Sequence, residues 1–131
     1  MLNSATITAN IPAADLTRAR DFYSAKLGLT PSFEMDGVFL LYKTDGGSAF
    51  SVYQTEYAGQ SGHTIAQWHV DDVATEVREL RANGVTFERY DMPGVSWDDD
   101  VASMEGVGKA AWLRTARGTS SAWTTAFRVP E

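Results

Sequence analysis

The chain has two histidines, His63 and His69, the side-chain type whose ordinary ionisation range lies near neutral pH. An imidazole in that range can act as a general base or as a metal ligand. Alternate residues of a strand share a face, so His69 has the same parity as Gln67 and Ile65. Thr8 and Asn10 alternate in the same way on an earlier segment, and Ser51 and Tyr53 on another. If these faces meet, Thr8, Asn10, Ser51, Tyr53, Gln67 and His69 form the polar lining of a pocket for a small organic molecule, and His69 is the candidate catalytic group. The competing reading leaves His63 in a linker and His69 at a strand end with ordinary solvent or capping contacts. A further alternative is a metal site built from His63, His69 and Glu34 or Glu56.

The aromatic residues Phe33, Phe39, Tyr42, Phe50, Tyr53, Trp68, Trp97 and Trp112 fall on or beside expected strands, where most are expected to pack a core. Tyr53, by its parity with Ser51, and Trp97, by its place in a long loop, are the rings expected to stack on a planar or cationic ligand. The acidic run Asp98–Asp100 reads as a solvated loop or as an attractor of cations. No glycine-rich phosphate loop, nucleophile elbow or paired catalytic carboxylates stand at recognisable spacing.

These side chains are positioned by a unit that occurs twice. Ile11-Pro12-Ala13-Ala14-Asp15-Leu16 opens a segment that closes at Gly28, and His69-Val70-Asp71-Asp72-Val73 opens a similar one that closes at Gly84. Each reads as a strand, an aspartate cap, an amphipathic helix ended by glycine, and further strands. In the first unit a strand is expected over Ala5–Ile11. A helix then carries Leu16, Ala19, Phe22 or Tyr23 and Leu27 inward, and strands follow near Pro31–Met35, Val38–Lys43 and Ala49–Gln54. Asp36-Gly37 and Asp45-Gly46-Gly47 are the turns between them. In the second unit a strand over Thr64–Val70 precedes a helix with Val73, Val77 and Leu80 at helical spacing. Val85–Arg89, Lys109–Arg114 and Thr119–Phe127 complete it, with a long acidic loop from Asp91 to Gly108. The expected fold is α+β, two tandem βαβββ modules forming a cupped mixed sheet. One domain spans 1–131, with modules at about 4–57 and 63–127.

Composition narrows the partners. A chain of 131 residues with 44% hydrophobic residues can bury one ordinary core or two small half-cores that share an interface. The absence of cysteine removes disulfides, thiolate ligands and thiol nucleophiles together. A net charge of −6 and a pI near 4.8 argue against nucleic acid or an anionic membrane as partner. No apolar run reaches membrane length, and Met1-Leu2-Asn3-Ser4 lacks a leader pattern, so a cytoplasmic location is expected.

The run Asp15-Leu16-x-x-Ala19-x-x-Phe22-Tyr23-x-x-x-Leu27-Gly28-Leu29, followed by Val70-Asp71-Asp72-Val73 and Asn83-Gly84-Val85, resembles the vicinal oxygen chelate superfamily of glyoxalase I, extradiol dioxygenases, fosfomycin resistance enzymes and bleomycin-binding proteins. The likeness runs from about Ala5 to Arg114. It implies the glyoxalase/bleomycin resistance fold, and it leaves the chemistry open because that fold hosts several activities. Enzymes of this family hold a divalent metal with one residue, usually His or Glu, from each of four strands. Counted from the helix caps, those positions fall on Thr8, near Ser51, on Ile65 and near Ala122. Un-ionised hydroxyls are weak ligands, and Ile and Ala offer none. No metal or other cofactor is therefore expected, with a divalent metal on displaced ligands as the alternative.

The family's sequence after Ala-Trp-aromatic-Lys-Asp normally reads Asp-x-x-Gly-Asn and then aliphatic residues, whereas this chain continues Arg114-Thr115-Ala116-Arg117-Gly118-Thr119-Ser120-Ser121-Ala122-Trp123. Codons read one base earlier, from the last base of the Arg114 codon, permit Asp-x-x-Gly-Asn-aliphatic-aliphatic-small-Leu. The expectation is that 115–131 is a frameshifted tail, with ordinary divergence of a terminal strand as the alternative. The restored frame also lacks a Glu at the fourth metal position.

The resulting expectation is a metal-free, glyoxalase-like protein that binds a small organic molecule in the cup, as a homodimer with pockets shared between subunits. The alternatives are a lyase or dioxygenase of the glyoxalase type with displaced ligands, a metal-independent catalyst using His69, and a degenerate family member that binds nothing.

Overall fold

Each half of the sequence folds as a ten-residue helix laid on one face of its own sheet. The computed structural model describes residues 1–59, 65–106, 108–115 and 122–128, the last of these and residues 114 and 115 as backbone. The first half runs β1 (Ala9–Ala13), α1 (Leu16–Ala25), β2 (Phe33–Met35), β3 (Phe39–Lys43) and β4 (Ala49–Gln54). The second runs β5 (Gln67–His69), α2 (Val73–Ala82), β6 (Phe87–Glu88), β7 (Val95–Asp98), β8 (Val101–Met104), β9 (Gly108–Thr115) and β10 (Ala122–Arg128).

The strand orders repeat. β1 and β4 pair in parallel, and the first sheet reads β1-β4-β3-β2. β5 and β10 also pair in parallel, and the second sheet reads β5-β10-β9-β8-β7, with the short β6 attached to β9. The second sheet therefore follows the first as far as β8 and adds β7 outside it.

Both helices begin in the same way. Asp15 and Asp72 are extended cap residues with φ of −140°, and each carboxylate accepts a backbone hydrogen bond three residues on, from Arg18 at 3.1 Å and Thr75 at 3.2 Å. Gly28 and Gly84 follow the helix ends at φ of +71° and +89°, which glycine adopts without steric cost.

The cores differ in composition. Under α1 lie Tyr23, Tyr42 and Phe50, with ring centroids 5.0 to 5.9 Å apart, surrounded by Ile11, Leu40 and Val52. Under α2 the core is mainly aliphatic: Val73, Val77, Leu80, Val101 and Leu113, with Phe87. Phe22, Leu27 and Trp68 pack against both clusters, and Trp68 meets Phe50 edge-on at 5.7 Å. These shared side chains join the halves through apolar contact.

Two expectations are corrected. The first strand starts at Ala9 rather than Ala5, because its partner β4 is in register from Phe50 opposite Ala9, and β4 itself starts only one residue earlier, at Ala49. The segment expected as a loop from Asp91 to Gly108 contains the hairpin β7–β8. Its alternating Val95-Ser96-Trp97-Asp98 pairs with Val101–Met104, a period-two pattern that the clustered aspartates had obscured. Of the segment read as a frameshifted tail, residues 116–121 and 129–131 lie outside the described residues, while 122–128 form β10 against β9.

Candidate functional site

The face of the first sheet turned away from α1 carries two rows of side chains fixed by register. Asn10, Ser51, Leu41 and Phe33 stand in one row, and Pro12, Tyr53, Phe39 and Met35 in the next. Parity explains the division, since the intervening Ile11, Val52 and Leu40 are buried under the helix.

On this face lies an open cleft of about 530 Å³. Thr8, Asn10 and Ser51 give it a polar wall, with Tyr53 and Gln54 beside them, and Val38, Phe39 and Leu41 give it an apolar one closed by Gly37. Ser51 is buried, and its hydroxyl donates a short hydrogen bond to the Asn10 side-chain oxygen. That bond leaves the Asn10 amide nitrogen with both protons to offer a ligand. Tyr53 is 39% exposed, so its ring is available on the floor of the cleft. The tight turn Asp36-Gly37 places Gly37 and Val38 at the rim: Val38 N–H donates to the Met35 carbonyl at 2.9 Å, and Gly37 has φ of +71°.

Four of the seven sequence-selected residues, Thr8, Asn10, Ser51 and Tyr53, thus line one cleft. Gln67, His69 and Trp97 do not contribute to it. They stand on the second sheet, whose register runs His69, Arg128, Ala110, Ala102, Trp97. His69 and Trp97 therefore share a row but lie four strands apart, roughly 19 Å at the usual inter-strand spacing. Gln67 and His69 are exposed on β5. Trp97 is half-buried against Trp112, with ring centroids 6.0 Å apart, and the Arg89 guanidinium lies 6.0 Å above its ring.

Gly37, Val38, Phe39, Leu41 and Gln54 also line the cleft and were missed. The signal for them was the parity of Phe39 and Leu41 across from Tyr53 and Ser51, which becomes visible once the Asp36-Gly37 turn sets the register.

Two residues of the acidic run, Asp99 and Asp100, are engaged within the protein. Asp99 holds a left-handed turn at φ of +56°. Arg81 of α2 pairs with it at 2.7 Å and also with Asp100, and Arg89 reaches Asp100 at 3.2 Å. The hydrogen bond that Arg81 donates to Asp99, and then the one it donates to Asp100, hold its guanidinium above its ordinary pKa. The run pins the β7–β8 hairpin to the end of α2.

The family-type metal does not fit the residues present. At the counted positions Thr8 offers a neutral hydroxyl, Ser51 is hydrogen-bonded to Asn10, Ile65 packs against the first core, and Ala122 has no ligating atom. The displaced set fares no better. Glu34 is turned to the helix side of its sheet, where Arg20 Nε holds it at 2.8 Å, and His63 lies outside the described residues. Among the described residues no three His, Cys, Asp or Glu side chains group closely enough to hold a metal ion. No described helix is long and apolar enough to cross a membrane.

Among solved structures, UcmS2 superposes with a TM-score of 0.68 at 17% identity, over 97% of this chain and 98% of its own. A bleomycin-binding protein in complex with bleomycin gives 0.64 at 19%, covering 96% and 97%. A lactoylglutathione lyase from Agrobacterium tumefaciens gives 0.64 at 15%, covering 98% and 96%. At such identities the likeness is one of fold. No curated protein matches this chain. The sequence profile of the Glyoxalase/Bleomycin resistance protein/Dioxygenase superfamily matches residues 5–95, most of the chain, and the protein belongs to that superfamily.

Proposed function

We propose that this protein binds a small organic molecule in the β1–β4 cleft without a metal, in the cytoplasm and as a homodimer. The observation that carries the reading is the Asn10–Ser51 pair, two hydrogen-bonding side chains held by each other on one wall of a cleft whose other wall is apolar. Ligand sites have this form: a mostly apolar concavity of about 300–1,000 Å³ with a few placed polar groups. The bleomycin complex formed by a protein of the same fold lends the reading support. Met35 is half-exposed on the same side, and it is apolar surface that a second copy would cover.

The test is elemental analysis of the purified protein, with Zn, Ni, Mn and Fe titrations and a small-molecule screen followed by thermal shift. Stabilisation by organic compounds and not by metals is expected, with the stabilisation lost in Asn10→Ala. Stoichiometric bound metal would overturn the metal-free reading and redirect attention to lyase or dioxygenase substrates. Sedimentation velocity checks the dimer, and a single monomeric species at all concentrations would remove it.

A further inference from the structure

We infer that the β1–β4 cleft selects an uncharged, flat aromatic molecule bearing a hydrogen-bonding oxygen, and discriminates against both anions and cations of the same shape. This rests on the proposed binding reading and goes further by naming the ligand class.

Among the described residues, no acidic or basic side chain lines the cleft. The disposition of nearby charges accounts for this. Glu34, on the adjoining strand β2, is paired in register with Leu40 and therefore points to the helix side, where Arg20 neutralises it. Asp36 precedes the rim glycine and is exposed. Lys43 shares the open face with Leu41 but stands one row beyond it, opposite Ala49 and outside the lining. The aspartates of the β7–β8 hairpin belong to the other sheet, and Asp99 and Asp100 among them are held by Arg81 and Arg89.

A charged ligand entering this space would lose water and gain no counter-ion, a cost that rises steeply with burial. The negative net charge attracts cations at long range, but it supplies no carboxylate within the lining to hold one. An uncharged ring meets what the cleft does provide. Tyr53 and Phe39 stand opposite each other in register, and Phe33 adds a further ring 5.8 Å from Phe39. Aromatic faces of this kind favour offset or edge contact with another ring. The Asn10 amide and the Thr8 hydroxyl then supply hydrogen bonds from the polar wall to an oxygen on the ring edge.

Three probes on one ring system separate the possibilities: 2-naphthamide, 2-naphthoate and 2-naphthylmethylammonium. Each is titrated into the full chain and followed by amide chemical shifts. Expected is that naphthamide moves the amides of Gly37, Leu41 and Ser51 and binds at least tenfold tighter than either ion, and that Tyr53→Ala weakens it about tenfold. Equal or tighter binding of an ion at those same amides would overturn charge selection while leaving the cleft a binding site. If the ion is naphthoate and Lys43→Gln removes it, Lys43 reaches the site and the neutral-ligand assignment fails for that reason. If none of the three probes shifts the cleft amides, the binding reading falls together with this one.

Discussion

The two modules share a frame and use its open face in opposite ways. In the first, four strands leave Asn10, Ser51, Phe39 and Tyr53 on a surface that stays open as a cleft. In the second, the added strand β7 brings Trp97 against Trp112, which also meets Tyr90 at 5.8 Å, so the aromatic side chains there pack on one another. Repetition of the helix caps and strand order therefore does not repeat the site. The extra strand, held by its arginine-bound turn, gives Trp112 a neighbour in Trp97 that the first sheet does not provide.

The largest expected effects test whether the halves fold as one body. Tyr23→Ala in the first core and Leu113→Ala in the second each remove a side chain with 1% or less exposure, and each should cost about 2–5 kcal/mol. Because Phe22 and Trp68 pack against both clusters, calorimetry of either variant should show a single transition. Two separated transitions would mean that the modules are independent.

The aromatic core holds a smaller asymmetry. Tyr42 is fully buried, and its hydroxyl lacks a hydrogen-bond partner among the described residues. Burial pushes its phenol up to about 12, against a partial opposing effect of Arg20. Tyr42→Phe should therefore stabilise the fold by about 1 kcal/mol, by removing an unpaired buried group. In the unaltered protein the phenol is neutral in both states below pH 10, and stability should fall as pH rises from there towards 12. Denaturant melts of both proteins across that range provide the check, and a destabilised Phe variant would show that the hydroxyl is satisfied.

The hairpin pin should matter less. Arg81→Ala releases Asp99 and Asp100, but these pairs are partly exposed, so a loss of about 1 kcal/mol or less is expected, and it should shrink at high salt. Ligand affinity at the first-module cleft should stay unchanged, and a large fall in it would erase the distinction between the two faces.

The smallest effect is at a helix cap. The backbone hydrogen bond from Thr75, joined by that from its hydroxyl, lowers the pKa of Asp72 below its ordinary 3.8. The stability it contributes is present above that ordinary value and is lost as pH falls through the lower folded value. Asp72→Asn keeps a capping oxygen and removes this titration, so its acid melting profile should be the flatter of the two.

The sequence made the repeated frame legible because its signals are local. An aspartate followed by an amphipathic stretch and a glycine specifies a capped helix whatever surrounds it, and both helices stand where that pattern put them. Period-two alternation likewise marked Thr8, Asn10, Ser51 and Tyr53 as neighbours across one face. The β7–β8 hairpin was harder to read, because three aspartates mimic a solvated loop until Arg81 and Arg89 are brought beside Asp99 and Asp100.

What the sequence alone determined, then, was the type and order of the main elements and the family. These follow from residue chemistry and from spacing within a few turns of chain. The tertiary structure decided which of the matching faces belong together. Parity states that His69 shares a face with Gln67, but not that four strands separate it from Trp97, nor that the cleft lies on the other sheet. Strand order and helix placement are set by contacts between residues distant in sequence, and only those contacts tell an open face from one that packs on itself.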